Sequence, residues 1–461
     1  MKATTLFLLT ILFADVLSGQ SSLNITLLDN WQDEQIISNS SEVRYNDCWG
    51  YVQNGIEYAV IGSTEGIHFF EIKNNNTFEF VDFVEGKFSS TAVVHRDIKI
   101  YKNFLFTVCD EGQSSLQIID LSGLPNSVSV IGEIDTTFSK VHNIFIDETN
   151  DLMYACTITS MINGVQSSPV AMQVYSIVNP INPTLLYSGP NDIPEVHDAF
   201  VRDNIAYLNC GFDGLRVYDF SIPSNPVFLQ NESIYQEQGY NHQGWMTPDG
   251  KTYVFADETN GKKVKKCSVK GDHTINIDRY FGTNSEDNSV PHNIMLDNNF
   301  AYVAYYNEGL RIYSIIGSDT KEIAHYDTYP TESPFKMNGA WGVYSDLPSG
   351  RILVSDRENG LFLLGFERSI FTTTQEGEVT IYPSLIESNA PLTIKVNDHE
   401  VTSFELEILD SNGKICFNAE ATSSNYITFQ SDLSKGVYFI RVRYLNYIDD
   451  VIVTTKKVVV Y

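Results

Sequence analysis

Positive charge is scarce in this chain. Against 58 Asp and Glu there are only 30 Lys and Arg, a formal net charge of −28 with a pI near 4.6. A surface of that sign repels nucleic acid and anionic lipid, so neither is expected as a partner. Cysteine is sparse too: six in 461 residues, at 48, 109, 156, 210, 267 and 416, none in a C-x-x-C spacing that would suggest a thiolate metal site. Cys109, Cys156 and Cys210 fall at matching places near the ends of apolar runs and read as small buried residues, with one disulfide left open. No long amphipathic helical stretch is visible. G-x-S-x-G, H-E-x-x-H and G-x-x-x-x-G-K-[ST] are all missing, so no nucleophile elbow, zinc helix or phosphate loop is marked.

What is plentiful is aromatic and β-branched. Tyr and Phe together number 53, which suits pleated, half-buried sheets. The first 19 residues have the layout of a secretory signal: Lys2, an apolar segment from Leu6 to Phe13, and the small-residue exit Leu17-Ser18-Gly19, with cleavage expected before Gln20. That segment is too short to span a bilayer, and no later run approaches ~20 apolar residues. The mature chain is therefore expected outside the inner membrane, with no transmembrane segment. Removing residues 1–19 deletes one Lys and one Asp and leaves the net charge unchanged.

One phrase recurs. "EVHDAFVRDNIAYLNCGFDGLRVYDF" (195–220) and "VPHNIMLDNNFAYVAYYNEGLRIYSI" (290–315) both set a His before an apolar run, then a turn, a second apolar run, an acidic residue before Gly-Leu-Arg, and an alternating strand. Aligned on Trp49, His95, His142, His197, His242, His292 and Trp341, seven units follow at steps of 46, 47, 55, 45, 50 and 49 residues. The longest step holds the insertion "SMINGVQSSP". A period of roughly 45–50 residues with four strand signals per unit is that of a propeller blade. The seventh unit runs out after three strands near Phe366. "SLNITLLDNW" (22–31) is expected to supply the fourth, closing the ring and removing exposed sheet edges. The fold class is thus all-β: a seven-bladed β-propeller over residues 20–367, its N-terminal strand closing the last blade, then a polar linker at 368–378 and a small C-terminal β-sandwich at 379–461.

Two resemblances follow from these residues. The C-terminal segment, with "IYP", "ILDSNGK", "DLSKGVYFIRV" and a Lys-Lys-hydrophobic end, resembles the sorting domain of proteins exported by the type IX (Por) secretion system of Bacteroidetes. It departs from that pattern at Tyr382-Pro383-Ser384-Leu385, where the family usually has Asn-Pro after Tyr-Pro. The resemblance implies passage to the cell surface or the medium, with the secretion machinery as a partner of residues 379–461. Units such as "LQIIDLS" and "LRVYDFSIPSNPVFL" resemble LVIVD-repeat proteins, including the choice-of-anchor B family of secreted propellers. That resemblance implies a fold and no particular reaction.

In a propeller the first strand of each blade lines the channel, so repeat-equivalent residues converge on one axis. His95, His142, His197, His242 and His292 would then share one level, with Trp49 and Trp341 completing the ring. Trp49, Asp97, Asp198 and Trp341 are the channel-facing candidates. Three readings stay open for the five His. They tie blade to blade by bonds to backbone; they ligate a transition metal, as imidazole does for Zn, Cu, Fe or Ni; or they line a polar pocket for a ligand. The turns "DEG", "NEG" and "DREN" are expected to be solvated, with Ca²⁺ binding an open alternative. The function expected is an exported binding or interaction module for an extracellular protein, glycan or small ligand. The competing class is a metal-dependent, oxidoreductase-like enzyme with its centre on the axis.

Overall fold

The computed structural model describes residues 21–134, 138–162, 165–283, 289–317, 320–331, 337–368, 379–382, 385–386, 388, 390–396, 401, 403–411, 413–422, 424–430, 432–445 and 451–461. The expected signal segment and nearly all of the expected linker lie outside them. The described residues contain strands and no helix, so none is long and apolar enough to cross a membrane. The chain divides into two compact units, residues 1–366 and 367–461.

Among the described residues unit 1 holds seven antiparallel sheets of four or five strands, besides one two-stranded ribbon. Their first strands are Tyr45–Gln53, Arg96–Tyr101, Lys140–Asp147, Asp198–Arg202, Asn241–Met246, Ile294–Leu296 and Ala340–Tyr344. Each first strand touches the next in chain order, and the seventh touches the first, so the seven form a closed cycle. The outer strands follow in sequence by hairpins. Second and third strands such as Ile205–Asn209 and Gly66–Ile72 are buried almost throughout, because a sheet covered on both faces has no solvent side to alternate toward. Fourth strands such as Ser129–Ile134 and Val227–Glu232 are largely exposed. The apolar cores lie between neighbouring sheets: Ile98 and Leu105 of the second pack with Val60 and Phe69 of the first, and Val254 and Ala256 of the fifth with Ile294 and Val303 of the sixth.

The seventh sheet takes its outer strand from the N-terminus: Ile25–Trp31 pairs antiparallel with Gly360–Phe366. The stretch 22–31 is not one strand, however. Asn24 sits in the left-handed region (φ 56°), a conformation Asn tolerates, and breaks it in two. Ser22–Leu23 pairs instead with His325 and Tyr326 as a fifth strand of the sixth sheet, and Asn24 Nδ2 donates to the Ile323 carbonyl at 2.7 Å. The N-terminal segment thus spans two sheets.

The six cysteines are unpaired, five of them buried, so the disulfide left open by the sequence is not formed. Within "SMINGVQSSP", Met161–Ile162 and Val165–Gln166 pair as a small ribbon. Unit 2 has a three-stranded sheet (Val379–Tyr382, Pro391–Val396, Tyr426–Gln430) and a five-stranded one in which Ser403–Asp410, Gly436–Leu445 and Val451–Val460 are the long members. Leu392, Ile394 and Val396 of the first share one apolar core with Leu406, Ile408, Ile440 and Val442 of the second.

Candidate functional site: a ring of imidazoles

At the centre of the cycle, six aromatic rings form a closed circuit. Centroid separations run 5.1 Å (His95–His142), 4.2 Å (His142–His197), 4.2 Å (His197–His242), 4.3 Å (His242–His292), 4.2 Å (His292–Trp341) and 5.5 Å (Trp341–His95). All five repeated histidines therefore meet at one level with Trp341. Trp49 does not join them. It lies deeper, lining the lower of the two central cavities, 6.4 Å from Trp245 and 5.0 Å from Tyr344. Asp47 rather than Trp49 stands with Asp97 and Asp198 in the polar level, so an alignment on Trp49 enters the first unit too far along its strand. The first sheet accordingly contributes no ring to the circuit.

Local irregularities explain how two consecutive side chains reach the centre. His242 falls in a register shift between Asn241 and Gln243, and Trp341 in one between Ala340 and Gly342. A bulge re-aims a side chain that strict alternation would send to the other face. Beneath the ring lies a polar level that includes Asp47, Asp97, Lys99, Asn143, Asp198, Gln243 and Asn293. Lys99 Nζ donates to Asp97 at 2.6 Å and stands 3.6 Å from Asp47. Gln243 spans to the sixth sheet, accepting from Ile294 N at 2.8 Å and donating to its carbonyl at 3.2 Å; Asp97 accepts from Ile144 N of the third sheet at 2.9 Å. One cation for three buried carboxylates leaves protons on the cluster: burial above all raises Asp198 to about 8 and lifts Asp47 well above its ordinary value. A glycine is required where the seventh and first sheets meet, since a Cβ on Gly342 would lie 2.6 Å from Asp47 Oδ1.

The imidazoles divide by the partner of Nδ1. His197 Nδ1 meets the His242 carbonyl at 3.0 Å, and His292 Nδ1 the Trp341 carbonyl at 2.6 Å. A carbonyl only accepts, so both Nδ1 atoms carry the proton and, in the neutral rings, Nε2 keeps its lone pair. Burial, with neighbouring imidazoles adding to it, drives the pKa of His197 and His292 well down, and burial lowers that of His242 to about 4. His95 and His142 are different. His95 Nδ1 pairs with Glu111 at 2.7 Å and His142 Nδ1 with Asp110 at 3.0 Å. Burial works against charge on His142, but the Asp110 bond and the carboxylates of Asp110, Asp198 and Asp97 outweigh it and raise its pKa.

Asp110 and Glu111 were expected to be solvated in the turn "DEG". Glu258, next to the fifth sheet's second strand, was not singled out at all. In an antiparallel hairpin the end of strand two lies beside the start of strand one, where the histidine is. Glu258 therefore sits 3.8 Å from His242 Nε2 and 3.9 Å from His292 Nε2, and Tyr306 donates its hydroxyl to Glu258 Oε1. In "DREN", Glu358 is likewise turned inward, accepting from Asn338 Nδ2 at 2.7 Å and Gly339 N at 2.8 Å. In "NEG", Glu308 is buried.

The cavities at the centre hold about 30 and 20 Å³. Each admits a water or two or a single ion, far below the roughly 300 Å³ at which organic-ligand pockets begin. An open cleft of about 810 Å³ lies between the first and seventh sheets, and its Arg351 and Glu57 are paired with each other at 2.6 Å.

Residues 380–461 match the family model of the secretion system C-terminal sorting domain. This is the sorting domain of the type IX (Por) route, which indicates secretion to the cell surface or extracellular space and interaction with that machinery. No curated protein matches the chain.

Proposed function

We propose that the chain is an exported seven-bladed β-propeller of LVIVD-like repeats that serves as a binding module at the cell surface, with the imidazole-ringed end of its channel as the working face. The observation that carries this reading is the closed circuit of first strands, which brings one residue type from five successive repeats to a single level. The N-terminal strand, paired into the seventh sheet, supports closure of the last blade. The buried thiols disfavour thiol chemistry: burial raises Cys156 and Cys267 far above the ordinary value and Cys109 to about 11, so they stay protonated at neutral pH. The competing enzyme reading depends first on whether the imidazoles hold a metal.

The export half is tested by protease shaving and fractionation of a type IX-competent bacterium. The full chain is expected outside the cell, and a chain ending at residue 378 inside it. Retention of both, or export of both, would overturn delivery by the sorting domain.

A further inference from the structure

We propose that His242, His292 and Glu258 form a binding site for one divalent transition-metal ion, with an imidazole Nε2 from each His and a carboxylate oxygen as ligands. The proposal deepens the reading of the imidazole end as a working face and rests on it.

Three features converge. His292 is oriented as metal-ligating imidazoles are: its Nδ1 hydrogen bond to the Trp341 carbonyl fixes both ring angle and tautomer and leaves Nε2 bare. His242 is buried beside it, only 4% exposed, with its Nδ1 drawn toward the His292 backbone but closing no hydrogen bond at normal distance. Third, the ligand atoms of His242, Glu258 and His292 lie within 4.8 Å of one another, and the two Nε2 atoms face opposite oxygens of Glu258 at 3.8 and 3.9 Å. Those gaps are too long for hydrogen bonds. Ligands 2.0–2.2 Å from a tetrahedral ion stand roughly 3.4 Å apart, so no pair has to close by more than about 1.4 Å to complete the set. Glu258 is itself held, by the Tyr306 hydroxyl on its side chain and by its backbone N–H on the Tyr240 carbonyl at 2.8 Å.

The second trio of potential ligands, His95, Asp110 and His142, does not carry the same inference. There the carboxylates already close on Nδ1 of each ring, Glu111 at 2.7 Å and Asp110 at 3.0 Å, and a metal would have to displace a shared proton. Two imidazoles and one carboxylate are a borderline-hard set that suits Zn²⁺ or Co²⁺ and leaves a fourth position open.

The test uses the untagged full chain, stripped by chelator and dialysed. Titration with Co²⁺, followed by visible absorption and calorimetry, is expected to give one ion per chain with a four- or five-coordinate spectrum, displaced by Zn²⁺. Glu258→Gln keeps the shape and the Tyr306 bond, and is expected to weaken binding at least about 100-fold. His142→Asn is expected to leave affinity within about threefold. No binding, or affinity unchanged in Glu258→Gln, or loss only in His142→Asn, would overturn the site. Because surface delivery is read separately on cells, a chain that reaches the surface but takes no Co²⁺ defeats this proposal alone.

Discussion

The five histidines occupy equivalent positions yet make two kinds of site. In the arc from sheets two and three, each Nδ1 faces a carboxylate on a partly open rim; His95 retains 35% side-chain exposure. In the arc from sheets four to six, the rings are buried and neutral, and His197 and His292 tie to the backbone of the following sheet. Repetition has kept the residue while the neighbour changed its chemistry. A histidine bonded through Nδ1 to the next sheet is both a fastener and a presented lone pair, so the structural and metal readings do not compete on that arc.

The arcs should separate most sharply in stability. His292→Ala removes ring contacts to His242, Trp341 and Tyr306 and strands the Trp341 carbonyl in the interior. Cavity and unsatisfied acceptor together are expected to cost about 3–4 kcal/mol in urea unfolding. His95→Ala, on the open rim, is expected to cost about 1 kcal/mol or less. Equal losses would mean that the arcs are mechanically alike.

Acid sharpens the same contrast. His242 has a folded pKa of about 4 against an ordinary 6.5: burial acts first, His142 and His95 push the same way, and Glu258 pulls back. A lowered histidine pKa means that the unfolded chain binds the extra proton. This contribution is complete above about pH 6.5 and is lost as pH falls toward 4, by at most about 3 kcal/mol. His197 and His292 act in the same direction. His142 runs the other way: its raised pKa gives stability that is present below pH 6.5 and lost as pH rises through the folded value. Urea midpoints of the metal-free chain between pH 4 and 8 should therefore drop on the acid side, and His242→Gln should flatten that drop. An unchanged slope would remove His242 from the account.

Much of this architecture was legible because it is periodic. Spacing located all five histidines and Trp341, and the three-strand remainder at Phe366 pointed to a donated N-terminal strand. What escaped were aperiodic features. Trp49 lines a level below the ring rather than the ring itself, and the left-handed Asn24 split one apparent strand between two sheets. Acidic turn residues look solvated in any sequence. That Asp110, Glu111 and Glu258 face the histidines follows from hairpin antiparallelism, a rule available from the strand assignment alone. Their distances and partners, which decide proton or metal, depend on side-chain packing between sheets and carry no signature in spacing.

The smallest expected effect probes the open arc. Asp110→Asn keeps shape and removes charge, so stability should change by no more than about 1 kcal/mol, given 27% exposure of the carboxylate. The informative readout is His142 itself. Asp110 supplies both the hydrogen bond and the nearest charge that hold its pKa up, whereas the burial that opposes them is untouched. An NMR titration should thus show the His142 pKa falling in Asp110→Asn, toward the behaviour of His197 beside it. If it does not move, the more distant carboxylates of Asp198 and Asp97 sustain the charge. The contrast between the arcs would then arise in the polar level beneath the ring rather than in the acidic turn beside it.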